Sequence, residues 1–220
     1  FMTLAGCVTM TTDDAVIRNG GTANVLQNAA VRDIYVGRLS QPGTLSIGDA
    51  AASTSIELAS RSAYIADSVL SHGKVSIAGP MSTWNLSEAL VVGDTGLGEM
   101  NVESGALVRS LTAVVGGNSS IGGASDGRAT VRGVTTRWEN SGNMFIGYSG
   151  DGLLRVLSGG TVTSAYAEIG SRLGGRGGSA WVSGAQSLWA VSGGLHIGVN
   201  TTAGLRITDA GAVTASNATI

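Results

Sequence analysis

The histidines and acidic residues are the side chains most able to carry out catalysis. Only two histidines occur, and His196 lies in the alternating segment Leu195-His196-Ile197, so a Ser-His-Asp set cannot be assembled convincingly. The 15 acidic residues are spread along the chain, usually singly, whereas polysaccharide cleavage needs several carboxylates converging on one face. We therefore predict a protein that is not an enzyme and has no catalytic residues. A polysaccharide-active enzyme remains an alternative.

Aspartates next to glycines suggest a second kind of chemistry, which is calcium binding. Gly150-Asp151-Gly152, Asp126-Gly127 and Gly93-Asp94 resemble the turns of calcium-binding β-rolls. Those sites need consecutive nine-residue copies of G-G-x-G-x-D, so that neighbouring turns share each ion. Here Asp94 and Asp151 are dozens of residues apart, and Asp126 belongs to another loop. We predict ordinary turn aspartates, with no metal site and no cofactor.

Aromatic and basic residues are the remaining candidates, and they would act in binding. Trp181 replaces the Thr130 of the neighbouring copy and, by alternation along its strand, should point outward. If any aromatic residues contact a ligand, we expect them to be Trp181 with Tyr148 or Tyr166. Arg172 and Arg176 lie in a glycine-rich loop that would suit an acidic surface, the alternative being a solvated turn.

The overall charge excludes one large class of partner. The net charge is −2, and the 13 lysines and arginines are scattered along the chain, so there is no electrostatic footprint for DNA or RNA. Glycine supplies 35 of 220 residues, more than twice its usual share of about 7%. The aliphatic content nevertheless exceeds that of disordered chains, and no apolar run approaches the ~18 residues of a membrane-spanning helix.

A repeat explains where the glycines and tryptophans fall. The pattern [IV]-x-G-x-x-[ST]-x-W occurs three times, at Ile77–Trp84, Val131–Trp138 and Val182–Trp189. Nine residues after each tryptophan comes a glycine that follows an aliphatic residue. The other half of the repeat places Val108, Val162 and Val213 where the first half has tryptophan. This equivalence favours tryptophans packed in a core or corner, although an aromatic ladder that stacks on sugar rings would share the spacing.

The length of the half-repeat predicts the fold. Each half averages about 27 residues and contains three short aliphatic segments with a period of two, which suits three strands per turn of a parallel β-helix. Glycine fits the corners between strands because it tolerates positive φ. We predict about eight three-stranded turns, whose last strands end at the following residues: Val36, Ile65, Val92, Val115, Ile146, Ile169, Ile197 and Ile220.

Residues from about 36 to 220 resemble the repeat shared by autotransporter (type V secretion) passenger domains and exosortase-sorted surface proteins of Gram-negative bacteria. The copy from Ile146 to Trp189 carries the resemblance, with an aliphatic-Gly pair, G-x-L-x-V-x-x-G-G-x-V, a second Ile-Gly and V-x-G-x-x-S-x-W. The resemblance implies an all-β, right-handed parallel β-helix. It also implies export across both membranes and attachment to an outer-membrane β-barrel in the full-length protein.

These observations give one functional expectation and two alternatives. We expect residues 1–35 to form degenerate N-terminal turns and residues 36–220 a single continuous solenoid, as an excerpt of a longer protein. The expected function is that of a surface-exposed or secreted passenger segment, an adhesin or stalk whose loops bind a host-cell surface, a glycan or other bacterial cells. A host-receptor-binding effector on the same scaffold is the alternative to adhesion, besides the enzyme already mentioned.

Overall fold

The chain folds into a parallel β-helix. A computed structural model describes residues 2–3, 8–10, 12–51, 55–117, 125–171 and 175–220. Within these residues all regular structure is β, every strand pairs in parallel, and three strands make up each turn. The predicted fold class is confirmed. No helix long and apolar enough to cross a membrane is found among the described residues.

Each turn contributes one strand to each of three nine-stranded sheets. Sheet 1 contains β1 (Met2–Thr3), β4 (Gly21–Val25), β7 (Gly43–Ile47), β10 (His72–Ala78), β13 (Leu97–Glu103), β16 (Asp126–Arg132), β19 (Asp151–Leu157), β22 (Gly177–Ser183) and β25 (Ala203–Thr208). Sheet 2 contains β2 (Val8–Met10), β5 (Ala29–Val31), β8 (Ile56–Ser60), β11 (Ser82–Leu86), β14 (Leu107–Ser110), β17 (Arg137–Asn140), β20 (Thr161–Ser164), β23 (Leu188–Val191) and β26 (Ala212–Thr214). Sheet 3 contains β3 (Ala15–Ile17), β6 (Asp33–Val36), β9 (Ser62–Ile65), β12 (Ala89–Val92), β15 (Thr112–Val115), β18 (Asn143–Ile146), β21 (Tyr166–Ile169), β24 (Gly194–Ile197) and β27 (Asn217–Thr219).

The turns fall where the repeat predicts them. The strands of sheet 3 end at seven of the eight predicted residues, and Ile220 directly follows β27. One further turn, β1 to β3, lies within the N-terminal segment and ends at Ile17, which pairs in register with Val36. Nine turns spaced by about 4.8 Å give a rod on the order of 40 Å long.

Alternation along each strand separates the core from the surface. In β19, Leu154 and Val156 are fully buried while Arg155 between them is exposed. The same inward positions in neighbouring turns are stacked, as in Val131, Val156 and Val182. The hydrophobic core is therefore a set of aliphatic columns that run along the rod.

The three repeated tryptophans belong to one such column in sheet 2. Trp84, Trp138 and Trp189 are fully buried, as the equivalence with valine predicts. The register makes tryptophan alternate with a smaller residue from turn to turn; the column reads Leu58, Trp84, Val108, Trp138, Val162, Trp189 and Val213. Large and small side chains thus alternate along the column, as the close packing of a protein core requires.

Glycines form a second column, at the inner start of the sheet 1 strands. Seven glycines are register partners in successive turns: Gly21, Gly43, Gly73, Gly98, Gly127, Gly152 and Gly178. A Cβ on Gly152 would overlap the carbonyl oxygen of Val115 and the amide nitrogen of Gly147. Sheets 1 and 3 therefore approach each other at a distance that only glycine permits.

The corner after sheet 3 uses glycine for its backbone conformation. Gly93 and Gly147 have φ of 73° and 69° there, and the equivalent position after β9 is Ala66, with φ of 61°. Positive φ is costly for residues with a Cβ, so alanine makes the corner after β9 locally strained.

Candidate functional site

The outer face of sheet 1 changes character along the rod. One row of its outward positions reads Ser76, Asn101 and Thr130 in β10, β13 and β16, and the exposed charged residues of β10 and β13 are Lys74, Glu99 and Glu103. From β16 onward, arginine becomes frequent at the outward positions. We call this part of the surface the arginine face; it is formed by Arg128 and Arg132 of β16, Arg155 of β19, Trp181 of β22, Arg206 of β25 and, at its edge, Arg176.

One row of the arginine face places tryptophan between two arginines. Arg155 pairs in register with Trp181, and Trp181 pairs in register with Arg206. The Arg206 guanidinium lies 5.4 Å from the centre of the Trp181 ring, within the range of a cation–π interaction. Both arginines are exposed, and Trp181 is half-buried.

A chain of hydrogen bonds holds the Trp181 ring in place. The indole Nε1 donates to Thr208 Oγ1 over 3.0 Å, and Thr208 Oγ1 donates to Ser183 Oγ over 3.0 Å. Ser183 Oγ in turn donates to the Asp209 carboxylate over 2.7 Å. The hydrogen bonds from Ser183 and Thr208 lower the pKa of Asp209. Trp181 is therefore fixed to the next turn before any ligand arrives.

A groove of about 680 Å³ runs beside this row. Asp126 and Asp151 line it, and they are register partners in adjacent strands. Arg128 pairs with Asp126 and Arg176 with Asp151, each over 2.9 Å. The expectation that these aspartates occupy unrelated loops was wrong, because the offset from 126 to 151 is one complete turn and makes the two residues register partners on adjacent strands.

Comparisons with known proteins do not identify this site. No known family, curated protein or solved structure matches the chain. The chemistry of the face must therefore be derived from its residues. Guanidinium groups form paired hydrogen bonds with carboxylate, sulfate or phosphate, and carboxylates accept hydrogen bonds from hydroxyls. Among the described residues, no three His, Cys, Asp or Glu side chains cluster to hold a metal ion.

The predicted binding residues fall in different places. Trp181 points outward, as alternation predicts, and Arg176 borders the groove. Arg172 lies outside the described residues. Tyr166 belongs to sheet 3, and Tyr148 lies in the turn between β18 and β19. The structure thus brings two of the five candidates to the arginine face.

The two tyrosines contact other side chains instead. Tyr166 donates its hydroxyl to Glu168 over 2.6 Å, and this hydrogen bond raises the pKa of Tyr166 to about 12. Its ring centre is 5.2 Å from that of His196. The Tyr148 ring packs edge-on against Phe145, with the centres 5.3 Å apart. Whether either binds a ligand stays a prediction.

An aromatic pair that sequence reasoning missed lies on sheet 3. Tyr35 and Tyr64 are register partners whose rings stack 5.3 Å apart and nearly parallel, at 11°. The Arg38 guanidinium lies 4.0 Å from the centre of the Tyr35 ring. Tyr64 and Arg38 cover ring surface of Tyr35 that a sugar would need. We therefore assign the tyrosine pair to packing between turns.

Sequence reasoning missed four arginines of the arginine face, which are Arg128, Arg132, Arg155 and Arg206; the last two flank Trp181. Both were visible as the outward members of Leu154-Arg155-Val156 and Leu205-Arg206-Ile207. The missing step was the register between turns. Aligning these segments with the strand that carries Trp181 places one arginine on each side of the ring.

Proposed function

We propose that the chain is part of the passenger of a bacterial cell-surface or secreted protein of autotransporter type, and that it serves as an adhesin and stalk. Its partners would be a host-cell surface, a glycan or other bacterial cells. In the full-length protein it would be attached to an outer-membrane β-barrel. The resemblance of the repeat supports the route to the surface, and the β-helix supports the stalk.

One observation carries the adhesive part of the proposal. The inward columns of glycine, tryptophan and aliphatic residues recur from turn to turn, so the scaffold is uniform. The outward positions of sheet 1 are not uniform, since they change from Ser76, Asn101 and Thr130 to Arg155, Trp181 and Arg206. A constant core with a locally distinct face is the organisation expected of a rod that presents a binding surface.

Bead adhesion tests the proposed function. Beads coated with residues 1–220 should attach to cultured epithelial cells or to bacterial cells more than albumin-coated beads do, and soluble chain should compete. Antibodies against the chain should also label intact cells of the source organism. Absence of attachment to every cell type would overturn the adhesive function, and labelling only after permeabilisation would overturn the surface location.

A polysaccharide-active enzyme is the second candidate, favoured by the pairing of Asp126 with Asp151 in the groove. Two neighbouring carboxylates are the minimum for cleaving glycosidic bonds. If the chain shortens any polysaccharide in a chromatographic assay, Asp126→Asn and Asp151→Asn should each abolish the activity. Glu103→Gln, an exposed change on the same sheet, should leave it intact. Cleavage that survives both aspartate substitutions would exclude this pair.

A further inference from the structure

The row of Arg155, Trp181 and Arg206 indicates the chemical class of the ligand. We propose that the arginine face binds an anionic polysaccharide. The guanidinium groups of Arg155 and Arg206 would contact acidic groups on successive repeating units of the polysaccharide, and Trp181 would contact the sugar between them. The inference rests on the proposed function, because it names the ligand through which the rod adheres.

Unpaired positive charge is the first argument. Arg128 and Arg176 form ion pairs within the face. Arg132, Arg155 and Arg206 are exposed and have no ion pair with any described residue. These three guanidinium groups lie beside Glu103, the register partner of Arg132, and Asp209, whose charge interacts with Arg206. The arginines outnumber these carboxylates on one side of a chain with net charge −2, so they provide positive charge that is complementary to an acidic ligand.

Spacing is the second argument. Arg155 and Arg206 are two turns apart in the same row, so their backbones are separated by roughly 10 Å. This separation is comparable to the length of a disaccharide in an extended chain. A polysaccharide with one acidic group in every disaccharide would therefore present its charges to both arginines at once.

Preorganisation is the third argument. Arg206 is held against the Trp181 ring, and the ring is held by its hydrogen bond to Thr208. An arginine restrained in this way loses less rotamer entropy when it binds an anion. Trp181 is thus both a contact surface and a positioning residue for Arg206.

The groove distinguishes a polysaccharide from a nucleic acid. Asp126 and Asp151 line it beside the arginines, and their carboxylates accept hydrogen bonds from sugar hydroxyls. A nucleic acid backbone carries a phosphate at every nucleotide and would meet these carboxylates with like charge. A mixed surface of guanidinium and carboxylate groups favours a ligand that carries both acidic groups and hydroxyls.

Biolayer interferometry with purified residues 1–220 tests the proposal. The immobilised probes are heparin, which is sulfated, polygalacturonate, which is carboxylated, neutral dextran and duplex DNA. We expect saturable binding to heparin or polygalacturonate that weakens with added salt, and none to dextran. Arg155→Gln and Arg206→Gln should each lower the affinity by about fivefold or more, since each removes a charge-assisted contact.

Matched variants separate the site from general charge and from folding. Arg18→Gln removes another exposed arginine that has no ion pair with a described residue and should leave the affinity unchanged. Trp181→Phe keeps a ring beneath Arg206 and should retain binding, whereas Trp181→Ala should lose it while keeping the far-UV circular dichroism of the parent. Equal losses with Arg18→Gln and Arg155→Gln, or tighter binding to DNA than to both acidic polysaccharides, would overturn the proposal.

The adhesive function and the ligand class can be overturned by different results. Beads that adhere to cells while the chain ignores both acidic polysaccharides would overturn only the ligand class. Binding to an acidic polysaccharide without adhesion to any cell would support the ligand class and overturn the adhesive function.

Discussion

At the scale of single residues, two serines in sheet 2 have the same place in the repeat but different surroundings. Ser110 accepts a hydrogen bond from Trp138 Nε1 over 3.0 Å and donates to Asn140 Oδ1 over 2.9 Å. Ser164 has Val191 as its register partner in the next turn, and its buried Oγ has no hydrogen-bond partner among the described residues. Only the first serine therefore contributes a satisfied polar network to the core.

Alanine substitution should reveal this difference. Ser110→Ala should lower the free energy of unfolding by about 1–3 kcal/mol, because Trp138 Nε1 and Asn140 Oδ1 each lose the hydrogen bond to the serine in a buried site. Ser164→Ala should leave the stability within about 0.5 kcal/mol of the parent or raise it, since it removes an unpaired hydroxyl. Urea unfolding measures both, and equal losses would contradict the assigned network.

Tyr166 makes the stability sensitive to alkaline pH. Its pKa is raised from 10.0 to about 12 in the folded chain, so folding favours the protonated phenol. The stabilisation is complete below pH 10 and is lost as the pH rises from 10 to about 12. Ultraviolet titration of the tyrosines should show a late-ionising group that is absent in Tyr166→Phe and shifts to lower pH in Glu168→Ala. An unchanged titration curve in both variants would contradict this assignment.

At the scale of the element, the glycine column sets how closely sheets 1 and 3 approach. Gly152 faces inward in β19, where a methyl group would meet backbone atoms of Val115 and Gly147. Gly204 in β25 is different, since a methyl group there would lie 3.5 Å from Ser179 Oγ, an ordinary contact. Two glycines of sheet 1 thus have different reasons to be glycine.

Substitution by alanine should distinguish them. Gly152→Ala should destabilise the chain by about 1–3 kcal/mol or more, because the backbone of two strands must move apart. Gly204→Ala should change the stability by less than about 0.5 kcal/mol in either direction. Thermal unfolding followed by circular dichroism checks the pair, and a similar loss in both would show that the column is not the close contact described.

The elements also show what sequence reasoning can and cannot reach. The period of about 27 residues and the equivalence of tryptophan with valine located the strand ends of sheet 3 and the burial of Trp138, since both depend on distances along the chain. The pairing of Asp126 with Asp151 depends on the length of one complete turn. Sequence reasoning missed this pairing because it assigned the two aspartates to separate loops and did not align their strands between turns. The hydrogen bonds of Trp181 depend on rotamers, which no spacing encodes.

At the scale of the whole molecule, the rod is coupled in one dimension. Each strand pairs only with strands of the same sheet in the preceding and following turns. Stability is then a sum of turn and neighbour terms, as in other solenoids. A substitution that destabilises one turn should therefore destabilise the adjacent turns more than distant ones.

Val156→Asp tests this coupling. It places a charge in a fully buried column between Val131 and Val182, which should cost at least about 3 kcal/mol. Hydrogen exchange should accelerate more in β16, β19 and β22 than in β4 and β7. Arg155→Asp, an exposed change in the same strand, is the control for stability. Unchanged melting would contradict the inward register, and uniform acceleration would contradict nearest-neighbour coupling.

The alternating tryptophan column also limits how such a rod can change its length during evolution. Gain or loss of a single turn would bring Trp138 against another tryptophan, or Val162 against another small residue, giving either a steric clash or a void. Gain or loss of two turns restores the alternation of large and small. The unit of duplication from Trp84 to Val213 is therefore the pair of turns, and variants that gain or lose turns in this part should differ by even numbers of turns. The preceding turns carry Ala29 and Leu58 in the same column, so this limit does not apply to them.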